Sequence, residues 1–134
     1  MRYLHWIMIS WTLSGCLHFA PYEPSSVRIT GRSVDKIYAA TVRVFLKKGW
    51  GFQARDPVAH AVETDWVQWN PPSGSMACVA YRILINRDSI EIFSSCKYGC
   101  GPGNSTCPEG QRPVGMKEHE HELVQAILDE SGRI

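Results

Sequence analysis

The stretch from Met76 to Cys96 most constrains what this chain can fold into. Val79, Tyr81, Ile83 and Ile85 sit at every second position, Arg87-Asp88 interrupts, and Ile90, Ile92, Ser94 and Cys96 resume the alternation. Successive strand side chains point to opposite faces, so each segment predicts a strand with one buried face. The polar break between them predicts a hairpin of two strands, Met76 to Asn86 and Ser89 to Cys96. Turn length then sets the register. A two-residue turn at Arg87-Asp88 aligns Val79, Tyr81, Ile83 and Ile85 with Cys96, Ser94, Ile92 and Ile90, leaving Cys78 on the opposite face from Cys96. A three-residue turn, Asn86 to Asp88, sets Cys78 across from Cys96 and pairs Arg82 with Ile92. A one-residue slip exchanges faces, so both arrangements cannot hold without a bulge.

The other elements follow from spacing. Val27-Arg28-Ile29-Thr30 alternates and predicts a first strand. Ser33 is a suitable helix N-cap, with Asp35 in the positive first turn. Val34, Ile37, Tyr38, Thr41, Val44 and Phe45 recur at helical spacing up to Lys47-Lys48, and Gly49 suits a left-handed C-cap. Trp50 to Arg55 predicts a second strand. His60 to Trp69 predicts a third, with Glu63, Asp65, Val67 and Trp69 on one face and Val62, Thr64 and Trp66 on the other. Asn70 to Ser75 is a break, and the Gly-, Pro- and Cys-rich stretch from Cys96 to Gly115 predicts an irregular cross-linked loop. Leu123, Val124, Ile127 and Leu128 mark a second helix, roughly Met116 to Glu130. The order β-α-β-β-β-β-α predicts an α+β domain, an antiparallel sheet of about five strands with both helices on one face.

The amino-terminal region reads differently. Arg2 precedes a short apolar run, Trp6 to Leu13, far below the roughly 20 residues of a membrane span. A basic start, a brief apolar core and small residues describe an export signal. Leu13-Ser14-Gly15-Cys16 resembles the lipobox of bacterial lipoprotein precursors. That resemblance implies lipid on the Cys16 thiol, removal of residues 1–15, and acylation of the new amino terminus, since stable anchoring takes more than one chain. Leu17 stands where relatives retained in the inner membrane often carry Asp, which implies outer-membrane delivery. Residues 16–26, with Pro21 and Pro24, read as a lipidated tether, and 27–134 as a single periplasmic or surface domain.

Without residues 1–15 the chain keeps 119 of its 134 residues, with 13 basic side chains against 13 acidic ones. No basic excess is left to neutralise phosphates, which argues against nucleic acid as a partner. Setting Cys16 aside leaves an even set, Cys78, Cys96, Cys100 and Cys107, suited to disulfides in an oxidising compartment. The preferred pairing is Cys78 with Cys96, near the open end of the hairpin, and Cys100 with Cys107 around a Gly-Pro-Gly loop. The register question keeps Cys78 with Cys100 or Cys107 open. A zinc site with His119 and His121 is the rival use of these thiols, but the spacing has no CxxC pair.

Few other residues carry chemistry. Glu118, His121, Glu122 and Gln125 share one helix face, so the run His119 to Glu122 reads as a solvated polar face, with at most weak metal binding. Ser94-Ser95 and Ser73-Gly74-Ser75 lack a GxSxG elbow, HExxH is absent, and no sequence feature ties His60 to a serine. No cofactor or metal is expected. Trp66 and Trp69 are the candidate partner-binding residues, Trp69 because it adjoins Pro71-Pro72. The segment SVDKIYAATVRVFLKKGWGFQARDPVAHAVETDWVQW, residues 33–69, resembles the helix-grip repeat of BamC-like outer-membrane lipoproteins. The resemblance implies company with the outer-membrane β-barrel assembly machine, and the missing catalytic motifs favour a non-enzymatic binding or assembly module. This chain has one such unit, and adds a cysteine-rich loop. The alternative is a small periplasmic hydrolase or metal-binding domain using His60, His119 or His121.

Overall fold

The computed structural model describes His18 to Ile134 except Ser73 and Ser75. Cys16 and the expected signal, residues 1–15, lie outside the described residues. The elements are β1 (Phe19–Pro21), β2 (Ser25–Arg28), α1 (Val34–Lys47), β3 (Phe52–Asp56), β4 (Ala61–Thr64), β5 (Val67–Trp69), β6 (Ala77–Ile85), β7 (Ser89–Lys97), β8 (Gln111–Pro113) and α2 (Met116–Ser131). The class is α+β with antiparallel pairing throughout. The main sheet runs β2-β7-β6-β4-β3, β5 also pairs with β6, and β1 and β8 form a small separate sheet. Among the described residues no helix is long and apolar enough to cross a membrane.

The two-residue turn sets the hairpin. Asn86 N–H donates to the Ser89 carbonyl at 2.8 Å, and Val79, Tyr81, Ile83 and Ile85 face Cys96, Ser94, Ile92 and Ile90. All eight are buried. They form the sheet surface on which the helices lie. Helix α1 begins as its sequence dictates, with the Ser33 hydroxyl accepting from Lys36 N–H. Gly49 ends it at φ 75°, a conformation natural to glycine. It buries Ile37, Ala40, Thr41, Val44 and Phe45. Near the carboxyl ends of both helices, Glu130 of α2 accepts from Lys47 Nζ of α1 at 2.8 Å and from Arg133 at 3.3 Å. The Lys47 contact leads in holding the Glu130 carboxyl below the usual carboxylate range.

Three expectations need correction. The expected third strand is broken into β4 and β5. Glu63 faces Arg82, yet Val67 faces Val79, so four steps along one strand match three along the other. This bulge at Asp65-Trp66 switches parity. Val67 and Trp69 therefore turn to the same side as Val62 and Thr64, and Trp66 to the opposite side. The Thr64 hydroxyl takes the Tyr81 N–H at 2.9 Å where the ladder is interrupted. Gly51 lies against the same kink: a β-carbon there would collide with an Asp65 carboxylate oxygen.

The expected tether, in its described part, is largely built into the domain. Phe19–Pro21 pairs with Gln111–Pro113, and Tyr22 and Ser25 are buried. Pro21 is accommodated because it closes a three-residue edge strand, where a missing N–H is tolerated. Finally, the preferred disulfides do not form. Cys78 joins Cys100 and Cys96 joins Cys107. The two-residue turn places Cys78 and Cys96 on opposite sheet faces, out of each other's reach.

Candidate binding surface

The helices cover one sheet face and leave the other open. On the open side stand Arg82, Leu84, Glu91, Phe93 and Ser95, the parity partners of the buried row. The bulge adds Trp66, whose ring lies beneath Lys97 Nζ at 4.2 Å from its centroid. Two shallow depressions meet here at Pro24 and Phe93. One, about 420 Å³, is lined by Ser26, Arg82, Leu84 and Glu91. The other, about 550 Å³, is lined by Trp66, Ser95, Thr106, Glu109 and Arg112. Arg112 is fixed rather than free: its Nε donates to the Ser94 carbonyl at 2.6 Å. Its guanidinium lies 4.6 Å from the Tyr22 ring centre and 5.4 Å from that of Phe93. The result is a trough with aromatic walls and held cations, chemistry suited to binding an extended polar segment.

The helix-covered side holds two polar clusters. Glu120 of α2 has no solvent exposure. Its Oε2 accepts from the Tyr22 hydroxyl at 2.7 Å and the Ser94 hydroxyl at 2.6 Å. Its Oε1 accepts from the Ser25 hydroxyl at 2.7 Å. Burial, followed by the bond to Glu120, pushes the Tyr22 phenol well above its ordinary pKa, so it stays a donor. Glu120 thus clips the amino-terminal segment and β7 to α2. It does not lie on a solvated helix face, contrary to expectation.

His119, expected on the same face, is half-buried. Its ring stacks on Trp69 with centroids 5.0 Å apart, and its Nε2 bonds the Tyr81 hydroxyl. Tyr81 in turn stacks on Trp50 at 5.2 Å. Trp69 therefore serves the interior packing, and Trp66 is the tryptophan on the open face. Burial pushes the His119 pKa down, with Glu122 opposing the shift and Lys48 adding to it. Burial also holds the Tyr81 phenol protonated, so the neutral imidazole is its acceptor. The unfolded chain takes up a proton on this ring near pH 6.5, before the folded protein does. The contribution of His119 is complete above that pH and is lost as pH falls below it. Melting temperature is expected to drop more between pH 7.5 and 5.5 in the native protein than in His119→Gln. Equal drops would refute the assignment.

The histidines of the hydrolytic alternative do not converge. His60 Nε2 meets Asp35 Oδ1 at 2.7 Å, over the start of α1, His119 is in the aromatic stack, and His121 is exposed. Among the described residues no three His, Cys, Asp or Glu side chains are grouped as a metal site.

No family model matches the sequence, and no curated protein matches it. Among solved structures the chain is similar to a DUF4468 family protein from Bacteroides ovatus. The TM-score is 0.39 and the identity 14%, over 80% of this chain and 79% of that one.

Proposed function

We propose that this protein is a bacterial envelope lipoprotein, anchored by lipid on Cys16 in the outer membrane, whose domain is a non-enzymatic binding or assembly module. The observation that carries the reading is Leu13-Ser14-Gly15-Cys16 directly after a short apolar run with a basic start. Complete pairing of the remaining four cysteines supports it, because such disulfides persist in exported proteins. The trough on the open sheet face is the surface for an envelope protein partner, with Trp66 as its aromatic anchor. The likeness of residues 33–69 to the BamC-like unit favours a role beside other envelope proteins.

Cys16→Ala is expected to leave full-length precursor and abolish palmitate labelling. Normal labelling of that variant would sink the anchor. Affinity capture of the lipidated protein from envelope fractions is expected to recover a specific protein that Trp66→Ala loses. Recovery of no partner, together with a turnover activity abolished by His119→Ala, would overturn the binding reading.

A further inference from the structure

The domain enters its fold at an apolar end. His18 is the first described residue, and its carbonyl accepts from Val114 N–H at 2.8 Å. Phe19 pairs with Pro113 and packs edge-on against Tyr98, ring centres 5.7 Å apart. Pro72 reaches Gly115 so closely that a β-carbon there would stand 2.9 Å from its ring. Met76 precedes Ala77, which pairs with Trp69. The start of β1, the ends of β5, β7 and β8, and the start of β6 therefore converge at the open end of the hairpin. Six large apolar side chains are substantially exposed among the described residues. Three of them gather here: Met76 at 40%, Tyr98 at 45% and Val114 at 42%. The described residues converging here, 69–72, 76–78, 97–107 and 113–117, include no Asp or Glu, and Glu118 stands at their margin.

The distance to Cys16 gives this end its occupant. Only Leu17 stands between Cys16 and His18, and those two residue steps reach at most about 7 Å. The headgroup layer on each side of a bilayer is about as thick. A lipid on Cys16 therefore leaves no slack for the domain to stand away from the surface. We propose that the end formed by Phe19, Met76, Tyr98 and Val114 docks on the lipid headgroups, so that the anchor and the fold bind the membrane as one unit. Tyr98 suits that depth, with an apolar ring and a polar tip. The β6–β7 turn at Arg87-Asp88, at the other end of the hairpin, then points away from the membrane.

This inference rests on lipidation of Cys16, and its test separates the two. Full-length protein is purified, its acylation read by mass spectrometry, and reconstituted into phosphatidylethanolamine–phosphatidylglycerol vesicles. A second form carries twenty Gly and Ser residues plus a protease site after Leu17, so that cleavage releases the same domain as a free reference. Hydroxyl-radical oxidation is then measured residue by residue. Met76 and Tyr98 are expected to react about fivefold more slowly in the native vesicle-bound protein than in the released domain, because a surface-docked apolar face is shielded from water. Leu46 and Val58, exposed elsewhere, are expected to react at equal rates in both. Acylated, vesicle-bound protein whose Met76 and Tyr98 react as fast as in the released domain overturns docking and leaves the anchor intact. So does shielding that appears only when other envelope proteins are added. A mass without acyl chains removes the anchor, and docking with it.

Discussion

Replacing Glu120 with alanine is expected to lower the unfolding free energy by about 3–5 kcal/mol, since hydrogen bonds to a buried charged group are worth more than neutral ones. Three hydroxyl donors converge on this carboxylate, and truncation leaves them around a cavity without an acceptor. Glu120→Gln is expected to cost less, about 1–2 kcal/mol. An amide oxygen in the Oε2 position still accepts from Tyr22 and Ser94. The amide nitrogen in the Oε1 position then donates to Ser25, whose hydroxyl turns its proton away. Urea unfolding of both variants gives the comparison. Equal losses for Ala and Gln would show that the charge carries the whole effect and that the volume and hydrogen bonds Gln retains contribute nothing. A neutral Ala variant would refute the clip altogether.

The second large effect belongs to the disulfides. Cys78–Cys100 spans 22 residues and Cys96–Cys107 spans 11. Removing the longer link by Cys78→Ala with Cys100→Ala is expected to cost about 3 kcal/mol, on the chain-entropy account of cross-links. The shorter link should cost slightly less, because closure entropy grows slowly with loop length. Trypsin distinguishes this pairing from Cys78 with Cys96 and Cys100 with Cys107. Cleavage after Arg82, Arg87 and Lys97 separates Cys78 from Cys96 and leaves Cys100 and Cys107 on a third peptide. The observed pairing joins all three peptides into one species. A species containing only the Cys78 and Cys96 peptides would refute it.

The hairpin and α1 were legible because each repeats one local rule over many residues. Period-two apolar residues predict the sheet core, and Ser33, Asp35 and Gly49 mark the ends of the helix. What the sequence hid depended on single residues set by distant partners. The bulge at Asp65-Trp66 has no local signature, since Asp and Trp continue the alternation; only the register against β6 creates it. Trp66 and Trp69 thus changed places between interior and trough. Glu120 did leave a trace: it stands three residues before Leu123, four before Val124 and seven before Ile127, on the apolar stripe itself. A carboxylate there is legible as buried only once Tyr22, Ser25 and Ser94 are known to meet it. Those partners lie outside the helix, two of them in the stretch expected as a tether.

The crossing of the two disulfides bears on how such a molecule matures. An exported chain that emerges amino end first delivers its thiols in the order Cys78, Cys96, Cys100, Cys107. Oxidation on arrival joins each thiol to the next in line, giving Cys78 with Cys96 and Cys100 with Cys107. Neither is a native pair. The mispaired form is incompatible with the hairpin register that buries the core, so folding itself selects against it. Reaching the native links then takes thiol–disulfide exchange through mixed intermediates. On the proposed envelope location, supply of the protein would follow the capacity of that compartment to reshuffle disulfides, rather than its capacity to make them.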